Sequence, residues 1–223
     1  MATLKSSLAF LLLAFAFFLC FIMSTGSYDY FQFVQQWPPT TCRFRKKCFK
    51  PRPLQIFTIH GLWPSNYSSP TKPSSCTGSE FKELAPRLRP KLKISWPNVE
   101  SSNDTKFWEH EWKKHGTCSE RTLNQIQYFW RSHSMWRSHN ITEILKNASI
   151  VPHATQTWTY SDIAAPIKAV TQTIPSLRCK SDPAQPNIQF LHEVVLCYGY
   201  NALKQIDCNR TPGCKYNVDI LFQ

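Results

Sequence analysis

Two separate segments of the chain carry the side chains best suited to chemistry. They are Phe57–Pro64 and Phe107–Cys118, and together they supply three imidazoles, a carboxylate and an ammonium group: His60, His110, His115, Glu111 and Lys114. Imidazoles change charge near neutral pH, and a positioned acid and base can transfer protons at a reacting group. These side chains therefore indicate an enzyme site that moves protons around an anionic centre.

The second segment forms one polar face if it is an α-helix. At about 100° per residue, an arc of about 140° holds four polar groups and one aromatic ring: Phe107, His110, Glu111, Lys114 and His115. Trp108 and Trp112 fall mostly behind this arc, where they suit a core. The alternative is an amphipathic surface helix, because charged residues on a helix usually face solvent.

A metal site is the main rival interpretation of these histidines. A zinc protease motif needs histidines at positions i and i+4 with a glutamate beside the first, whereas His110 and His115 are i and i+5. The sequence also has no CxxC pair, which disfavours a zinc ribbon. We therefore expect no metal and no cofactor. His60 alone is a weak signal, because a lone histidine in an apolar run is more often a core residue.

The first residues are typical of a secretory signal peptide. Lys5 is the only charge before Asp29, and it precedes the apolar run Leu8–Met23 and then small residues up to Ser27. A membrane anchor is the alternative, but the run is shorter than the roughly 20 residues that span a bilayer. We expect a signal peptide over residues 1–27, cleaved near Gly26 or Ser27, and a secreted, soluble domain over residues 28–223.

The cysteines and sequons agree with secretion. Of nine cysteines, Cys20 lies in the predicted signal peptide, and the other eight suggest four disulfides, although metal ligands or buried thiols are the alternative. Possible glycosylation sites are Asn66, Asn103, Asn140, Asn147 and Asn209, the last weakened by Pro212.

The chain is strongly basic, with a formal net charge of +12 at pH 7. This balance favours polyanionic partners such as nucleic acid, acidic polysaccharide or anionic membranes, with plain solubility as the alternative. Basic residues cluster at Arg43–Lys47 and Arg87–Lys93, although such clusters are more often solvated faces.

The coarse secondary structure predicts a single α+β domain with an antiparallel sheet and several helices. Apolar patterning and turn residues favour strands at Tyr30–Gln36, Ile56–Leu62, Gln189–Tyr198 and Tyr216–Leu221. Helices are expected at Glu80–Leu88, from caps at Asn103–Thr105 to Gly116, from Ser119 to Met135, at Ile141–Asn147 and at Ser161–Thr173. Helices among strands without regular βαβ alternation are typical of α+β folds.

The two histidine segments together resemble the active-site segments of the T2-type secreted ribonucleases. The resemblance covers essentially all of residues 28–223, from Phe31–Pro38 to the last cysteines. Within the family, the basic charge, the sequons and the early strand are most similar to the self-incompatibility ribonucleases (S-RNases) of rose-family styles.

The resemblance implies a metal-independent reaction. The RNA 2′-OH attacks its own phosphate to give a 2′,3′-cyclic phosphate, which is then open to hydrolysis to a 3′-phosphate. His115 would be the base and His60 the acid, with roles exchanged in hydrolysis. Lys114 and Glu111 would lie beside the phosphorane, and His110 would bind phosphate. Attack by a 2′-OH implies specificity for RNA over DNA.

The resemblance also implies binding residues, pairings and partners. Base contacts would come from Gln36, Asn98 with Val99, and Phe107, although the two amides could equally stabilise loops. The implied disulfides are Cys42–Cys48, Cys76–Cys118, Cys179–Cys214 and Cys197–Cys208. The expected partners of this monomer are RNA and, for an S-RNase in the stylar extracellular matrix, a pollen S-locus F-box-type protein. Allele-specific recognition would fall in Asn66–Ser79.

Three functions stay open on the sequence. The first is a style-secreted cytotoxic ribonuclease of pollen rejection. The second is a defence or phosphate-scavenging ribonuclease of the same family, and the third is a catalytically dead storage or defence glycoprotein. The basic charge favours the first, and the retained His60, Glu111, Lys114 and His115 argue against the third.

Overall fold

The computed structural model describes residues 27–45, 48, 54–69, 72–208 and 213–223. The strands are β1 (Tyr30–Gln36), β2 (Thr58–Ser65), β3 (Thr157–Trp158), β4 (Ser176–Ser181), β5 (Ile188–Gly199), β6 (Gln205–Ile206) and β7 (Asp219–Leu221). The helices are α1 (Pro38–Arg43), α2 (Arg89–Ser95), α3 (Asp104–Lys114), α4 (Gln125–Ser138), α5 (Ile141–Asn147) and α6 (Tyr160–Thr171), with a 3₁₀ turn at Gly116–Ser119. The predicted signal peptide lies almost wholly outside the described residues, as do Lys46, Lys47 and the Asn209 sequon.

The α+β prediction is confirmed. The strands form one sheet in the order β2-β1-β5-β7-β3, with β4 and β6 also paired to β5. Most pairs are antiparallel as expected, but β5 and β7 run parallel. Strand β1 pairs with β2 on one side and with β5 on the other. The strand that carries His60 is therefore separated from β5 by one strand.

Two β-bulges interrupt this sheet. Between β1 and β2, Val34 pairs with Gly61 and Gln35 pairs with Ile59, so His60 is the extra residue. Between β4 and β5 the register slips in the same way, and His192 is the extra residue. A bulge redirects side chains and is common beside active sites. It also explains why Ile59 and Leu62, three residues apart, both enter the main core.

The core between the sheet and the helices is rich in tryptophan. Trp96, Trp108 and Trp112 are fully buried, and Trp108 and Trp112 come from the face of α3 that the sequence assigned to the core. Buried indole N–H groups need acceptors, and Trp96 Nε1 donates to the backbone oxygen of His60 at 3.0 Å. Tyr128 donates its hydroxyl proton to Leu62 O at 2.8 Å. The core therefore also fixes the backbone of β2.

The four disulfides implied by the family resemblance are present. They join Cys42 to Cys48, Cys76 to Cys118, Cys179 to Cys214 and Cys197 to Cys208. The second bridge ties the loop before the α2 region to the turn that follows α3. It therefore constrains the end of the helix that carries the candidate catalytic residues.

Several predicted elements hold and two are wrong. Strand Tyr30–Gln36 and helix Ile141–Asn147 have the predicted bounds. Glu80–Leu88 is not a helix: helix α2 begins at Arg89, because Pro90 suits a first helical turn and not a helix interior. Ser119 does not cap α4, because Asn124 and Gln127 form a capping box there.

The sequence reading also missed or misplaced some ends. Helix α3 is capped by the Asn103 side chain as expected, but it ends at Lys114 with His115 as its C-cap, one residue before Gly116. Strand β7 is shorter than Tyr216–Leu221, and α1 and β4 were not anticipated. Among the described residues, no helix is long and apolar enough to cross a membrane.

Candidate active site

A single cleft of about 1380 Å³ is lined by all nine predicted catalytic and base-binding residues. It lies where β2, the C-terminal end of α3 and the bulged part of β5 meet. The residues named from the sequence that line it are Gln36, His60, Asn98, Val99, Phe107, His110, Glu111, Lys114 and His115. The structure thus brings together the two histidine segments that are far apart in the chain.

His60 lies at the β2 bulge with one nitrogen engaged. Its Nδ1 is 2.6 Å from Glu193 Oε1. Burial lowers the pKa of His60, but the hydrogen bond and the negative charge of Glu193 outweigh burial and leave that pKa above 6.5. The side chain is about a third exposed and lines the cleft.

His115 is the C-cap of α3, and its surroundings lower its pKa, whereas those of His60 raise it. Its N–H donates to Glu111 O at 2.9 Å, its ring is buried, and its Nδ1 has no hydrogen-bond partner among the described residues. Burial, reinforced by the positive charges of Lys114 and Lys72, lowers the pKa of His115 to about 3. His115 is therefore a neutral imidazole at neutral and mildly acidic pH.

Trp63 lies close to both candidate catalytic imidazoles. Its ring centroid is 5.0 Å from that of His60 and 5.2 Å from that of His115. Its Nε1 donates to Glu111 Oε2 at 2.9 Å, which fixes a carboxylate that is itself buried. Trp63 belongs to the first segment, but no role was assigned to it from the sequence.

Glu111 is buried beneath the cleft, between both halves of the site. Burial raises the pKa of Glu111, while the nearby His60 and the hydrogen bond from Trp63 oppose the rise. His110 immediately precedes Glu111, and Lys114 lies about one helical turn after it. Both side chains are exposed on α3 and border the same cleft. The helical projection from the sequence is therefore correct in placing these groups together.

Lys72 enters the cleft from a loop that carried no chemical signal. Its Nζ lies 3.9 Å from the centroid of the Trp63 ring, a cation–π contact. Burial, with a smaller contribution from Arg178, lowers the pKa of Lys72 to about 7. Lys72 therefore adds to the cleft an amine that gains or loses its proton close to neutral pH.

The predicted base-binding residues border the cleft but have partners of their own. Gln36 Oε1 accepts a hydrogen bond from Thr41 Oγ1 at 3.2 Å. Asn98 Oδ1 accepts from the backbone N–H groups of Glu100 and Ser101, as loop-stabilising asparagines do. The ring of Phe107 is 6.3 Å from that of His60. Both interpretations of the two amides, base contact and loop support, therefore remain compatible with their positions.

Three further polar residues around His60 were missed by sequence reasoning. Glu193 is buried in β5, Arg178 in β4 donates to its second oxygen at 3.1 Å, and His192 occupies the second bulge. Only one signal could have pointed to two of them, namely the adjacent titratable residues His192 and Glu193 inside the largely apolar strand β5. Burial lowers the pKa of His192 to about 4.

Four of the five predicted sequons fall within the described residues. Asn103 and Asn140 cap helices through their side-chain oxygens, Asn147 is exposed at the end of α5, and Asn66 follows β2. Within the described ranges, no group of three or more His, Cys, Asp or Glu side chains is arranged to hold a metal ion.

Comparison with known proteins gives one consistent result. The family model described as Ribonuclease T2 family matches residues 28–208. Ribonuclease MC of Momordica charantia is 40% identical over 193 residues, which cover 85% of this chain and 99% of that protein. The crystal structure of ribonuclease MC1 from bitter gourd seeds has a TM-score of 0.79 at 37% identity, over 87% of this chain and 100% of that one. Japanese pear S3-RNase has a TM-score of 0.77 at 31% identity, over 86% and 99%.

Proposed function

This chain belongs to the ribonuclease T2 family and is an endoribonuclease, and we propose that it cleaves single-stranded RNA by transphosphorylation. The RNA 2′-oxygen attacks the adjacent phosphorus and the bond to the 5′-oxygen of the next nucleotide breaks. The products are a 2′,3′-cyclic phosphate and a 5′-hydroxyl, and water then opens the ring to a 3′-phosphate. The requirement for a 2′-OH restricts the substrate to RNA.

One observation supports the assignment of the two proton-transfer roles. The pKa of His115 is lowered to about 3 while that of His60 lies above 6.5, and the two rings flank the same indole. Groups whose environments move their pKa values apart are suited to act as base and acid at one pH. His115 therefore takes the 2′-OH proton, and His60 gives a proton to the departing 5′-oxygen.

The remaining groups of the cleft suit the charge that develops on phosphorus. Lys114 and His110 offer hydrogen-bond donors from the exposed face of α3, and Lys72, whose Nζ lies over the Trp63 ring, offers a further donor. Glu111 carries a raised pKa, so it can share a proton with a phosphoryl oxygen instead of only repelling it. Gln36, Asn98, Val99 and Phe107 would hold the base, with Phe107 stacking against it.

The acid and base roles can be tested separately. His60→Asn and His115→Asn should each abolish clearing in an RNA zymogram, with His153→Asn, an exposed histidine outside the cleft, as the matched control. Uridine 3′-(p-nitrophenyl phosphate) has a leaving group that needs no proton. On that substrate, His60→Asn should recover activity and His115→Asn should not.

Two results would contradict this scheme. Substantial cleavage of RNA by either variant would show that the imidazole concerned is dispensable. Equal recovery of both variants on the activated substrate would show that the acid and base roles are assigned wrongly.

The domain layout and location follow from the sequence. The proposal is a signal peptide over residues 1–27 and one secreted, monomeric, glycosylated ribonuclease domain over residues 28–223. The four disulfides support an oxidising compartment, because disulfides persist mainly in secreted proteins. Secretion from a eukaryotic host, a mature N-terminus near residue 27 and a mass loss on glycosidase treatment are the expected results. Retention in the cell with an uncleaved N-terminus would contradict them.

For the biological role, the proposal is the style-side determinant of self-incompatibility, working with a pollen F-box-type partner. The net charge of +12 and the structural similarity to Japanese pear S3-RNase support it. A general plant ribonuclease is the second candidate, because among the solved structures the identity to ribonuclease MC1 is 37% against 31% to the pear protein. Transcript confined to styles, and acceptance of self pollen when it is suppressed, would support the first. Induction in roots or leaves by phosphate starvation would support the second.

A further inference from the structure

A buried carboxylate joins the candidate acid to an arginine. Glu193 lies in the middle of β5 with only 6% of its side chain exposed. One of its oxygens is 2.6 Å from His60 Nδ1, and the other is 3.1 Å from Arg178 Nη1. An ionised carboxylate can only accept hydrogen bonds, so the His60 nitrogen that faces it must be the donor.

We propose that Glu193, held in place by Arg178, is the positioning residue of His60. It keeps the proton on Nδ1 and thereby leaves Nε2 as the nitrogen that works in the cleft. When His60 is charged, Nε2 donates its proton to the leaving oxygen. When His60 is neutral, the lone pair on Nε2 faces the substrate and can serve as the base for hydrolysis of the cyclic phosphate. This inference rests on the proposed role of His60 as the acid.

The arrangement of the strands supports a built site. The residue opposite Glu193 in β4 is Arg178, and the bulge residue His192 comes immediately before Glu193 in β5. The Glu193 side chain is turned away from the core shared by Leu191 and Val194. Arg178 is itself held by Gln32 Oε1 and lies 5.4 Å from the centroid of Trp63. A buried carboxylate is costly unless it is paired, and here both oxygens have charged or chargeable partners.

Charged and titratable groups surround His60. They come from every element packed around the cleft: Glu111 and His115 from α3 and its end, His192 and Glu193 from β5, Arg178 from β4, with Lys72, His110 and Lys114 around the same opening. The two carboxylates raise the pKa of His60, whereas Arg178 lowers it. Replacing Glu193 and replacing Arg178 should therefore move the titration of His60 in opposite directions.

The opposite signs provide the test. In Glu193→Gln, the alkaline limb of the kcat/KM profile for RNA should move to lower pH, with about 10- to 100-fold lower activity at pH 7. In Arg178→Gln, the limb should move to higher pH, because the carboxylate keeps its charge while a cation that lowers the pKa of His60 is lost. The exposed ion pair of Glu83 with Arg89 supplies the matched controls, Glu83→Gln and Arg89→Gln, which should leave the profile unchanged.

A second measurement uses the wild-type protein and needs no stable variant. Spectra of ¹⁵N-labelled histidine at a pH above the titration of His60 should show the proton on Nδ1, with Nε2 unprotonated. A proton on Nε2 there would overturn the proposal. It would also be overturned if the His60 titration is unmoved in a folded Glu193→Gln variant, or if both variants move it the same way.

The leaving-group substrate separates this inference from the function on which it rests. On uridine 3′-(p-nitrophenyl phosphate), the defect of Glu193→Gln should largely disappear, because no acid is required. If His60→Asn shows no such recovery, the acid role fails, whereas the ¹⁵N titration still reports whether Glu193 controls the imidazole. A defect of Glu193→Gln that persists on this substrate, with His60→Asn recovering, would overturn the positioning role alone.

Discussion

The buried His115 should make the stability of this ribonuclease fall steeply with acid, and the size of the effect can be worked out. The pKa of His115 is about 3 in the folded protein against 6.5 as the ordinary value. Between those two values the unfolded chain binds a proton at this position that the folded protein does not bind. His115 therefore stabilises the fold fully only above about pH 6.5, and this contribution is lost as the pH falls towards 3.

A pH of 4.5 is about two units below the pKa of His115 in the unfolded chain, so the unfolded side chain is protonated, whereas in the folded protein it is still neutral. Each unit corresponds to about 1.4 kcal/mol, so the free energy of unfolding should fall by about 3 kcal/mol between pH 7 and pH 4.5 because of this residue. His192, with a pKa lowered to about 4, acts in the same direction. Other groups contribute as well, so the comparison has to be between proteins that differ only at position 115.

The assay is urea unfolding of wild type and His115→Asn at pH 7 and pH 4.5, followed by tryptophan fluorescence. The wild type should lose about 3 kcal/mol more than the variant between the two pH values. His153→Asn, an exposed histidine outside the cleft, should lose as much as the wild type. Equal losses in wild type and His115→Asn would refute the reasoning, because they would mean that the folded protein binds the proton as readily as the unfolded chain.

Three other predictions concern the frame of the site and its chemistry. A Cβ on Gly61 would overlap the Trp63 indole nitrogen and a carboxylate oxygen of Glu111, so Gly61→Ala should lower kcat for RNA at least tenfold. The control is Gly199→Ala, where the nearest atom to the added Cβ is 3.8 Å away, and it should leave kcat unchanged in the same assay. Replacing both Cys76 and Cys118 by serine opens a link across 42 residues and should lower the free energy of unfolding by about 4 kcal/mol in urea titrations; a loss under about 1 kcal/mol would contradict it. EDTA should leave cleavage of RNA unchanged, because the side chains alone supply the acid, the base and the cations, and inhibition that zinc or magnesium reverses would show a metal requirement.

Local patterns in the sequence were enough to predict the framework of the site. The helix that carries Glu111 and Lys114 begins at its asparagine cap, and its two tryptophans enter the core as their spacing predicts. These features depend on contacts within about one helical turn, which composition and periodicity report directly. His115 was placed on the correct face, although the helix ends one residue before it.

The rest of the site depends on which strands become neighbours. Arg178 meets Glu193 only because β4 pairs with β5, and Lys72 reaches the Trp63 ring from a loop without regular structure. No local pattern in either segment reports such pairings. The prediction of a helix at Glu80–Leu88 was wrong for a different, local reason. Pro90 was taken as a helix end, whereas it lies in the first turn of the helix that begins at Arg89.

The two β-bulges connect the missed residues to the histidine that was found. A regular strand alternates its side chains with a period of two, so an extra residue reverses which positions face the core. In β2 the extra residue is His60, and in β5 it is His192, immediately before Glu193. Side chains alternate along β5, so Glu193 lies on the same face of the sheet as Val195 and Cys197. The bulge at His192 brings Leu191 and Val194 onto the opposite face, which is the main core. The same irregularity that weakens the strand pattern in the sequence thus brings the imidazole of His60 and the carboxylate of Glu193 within hydrogen-bond distance.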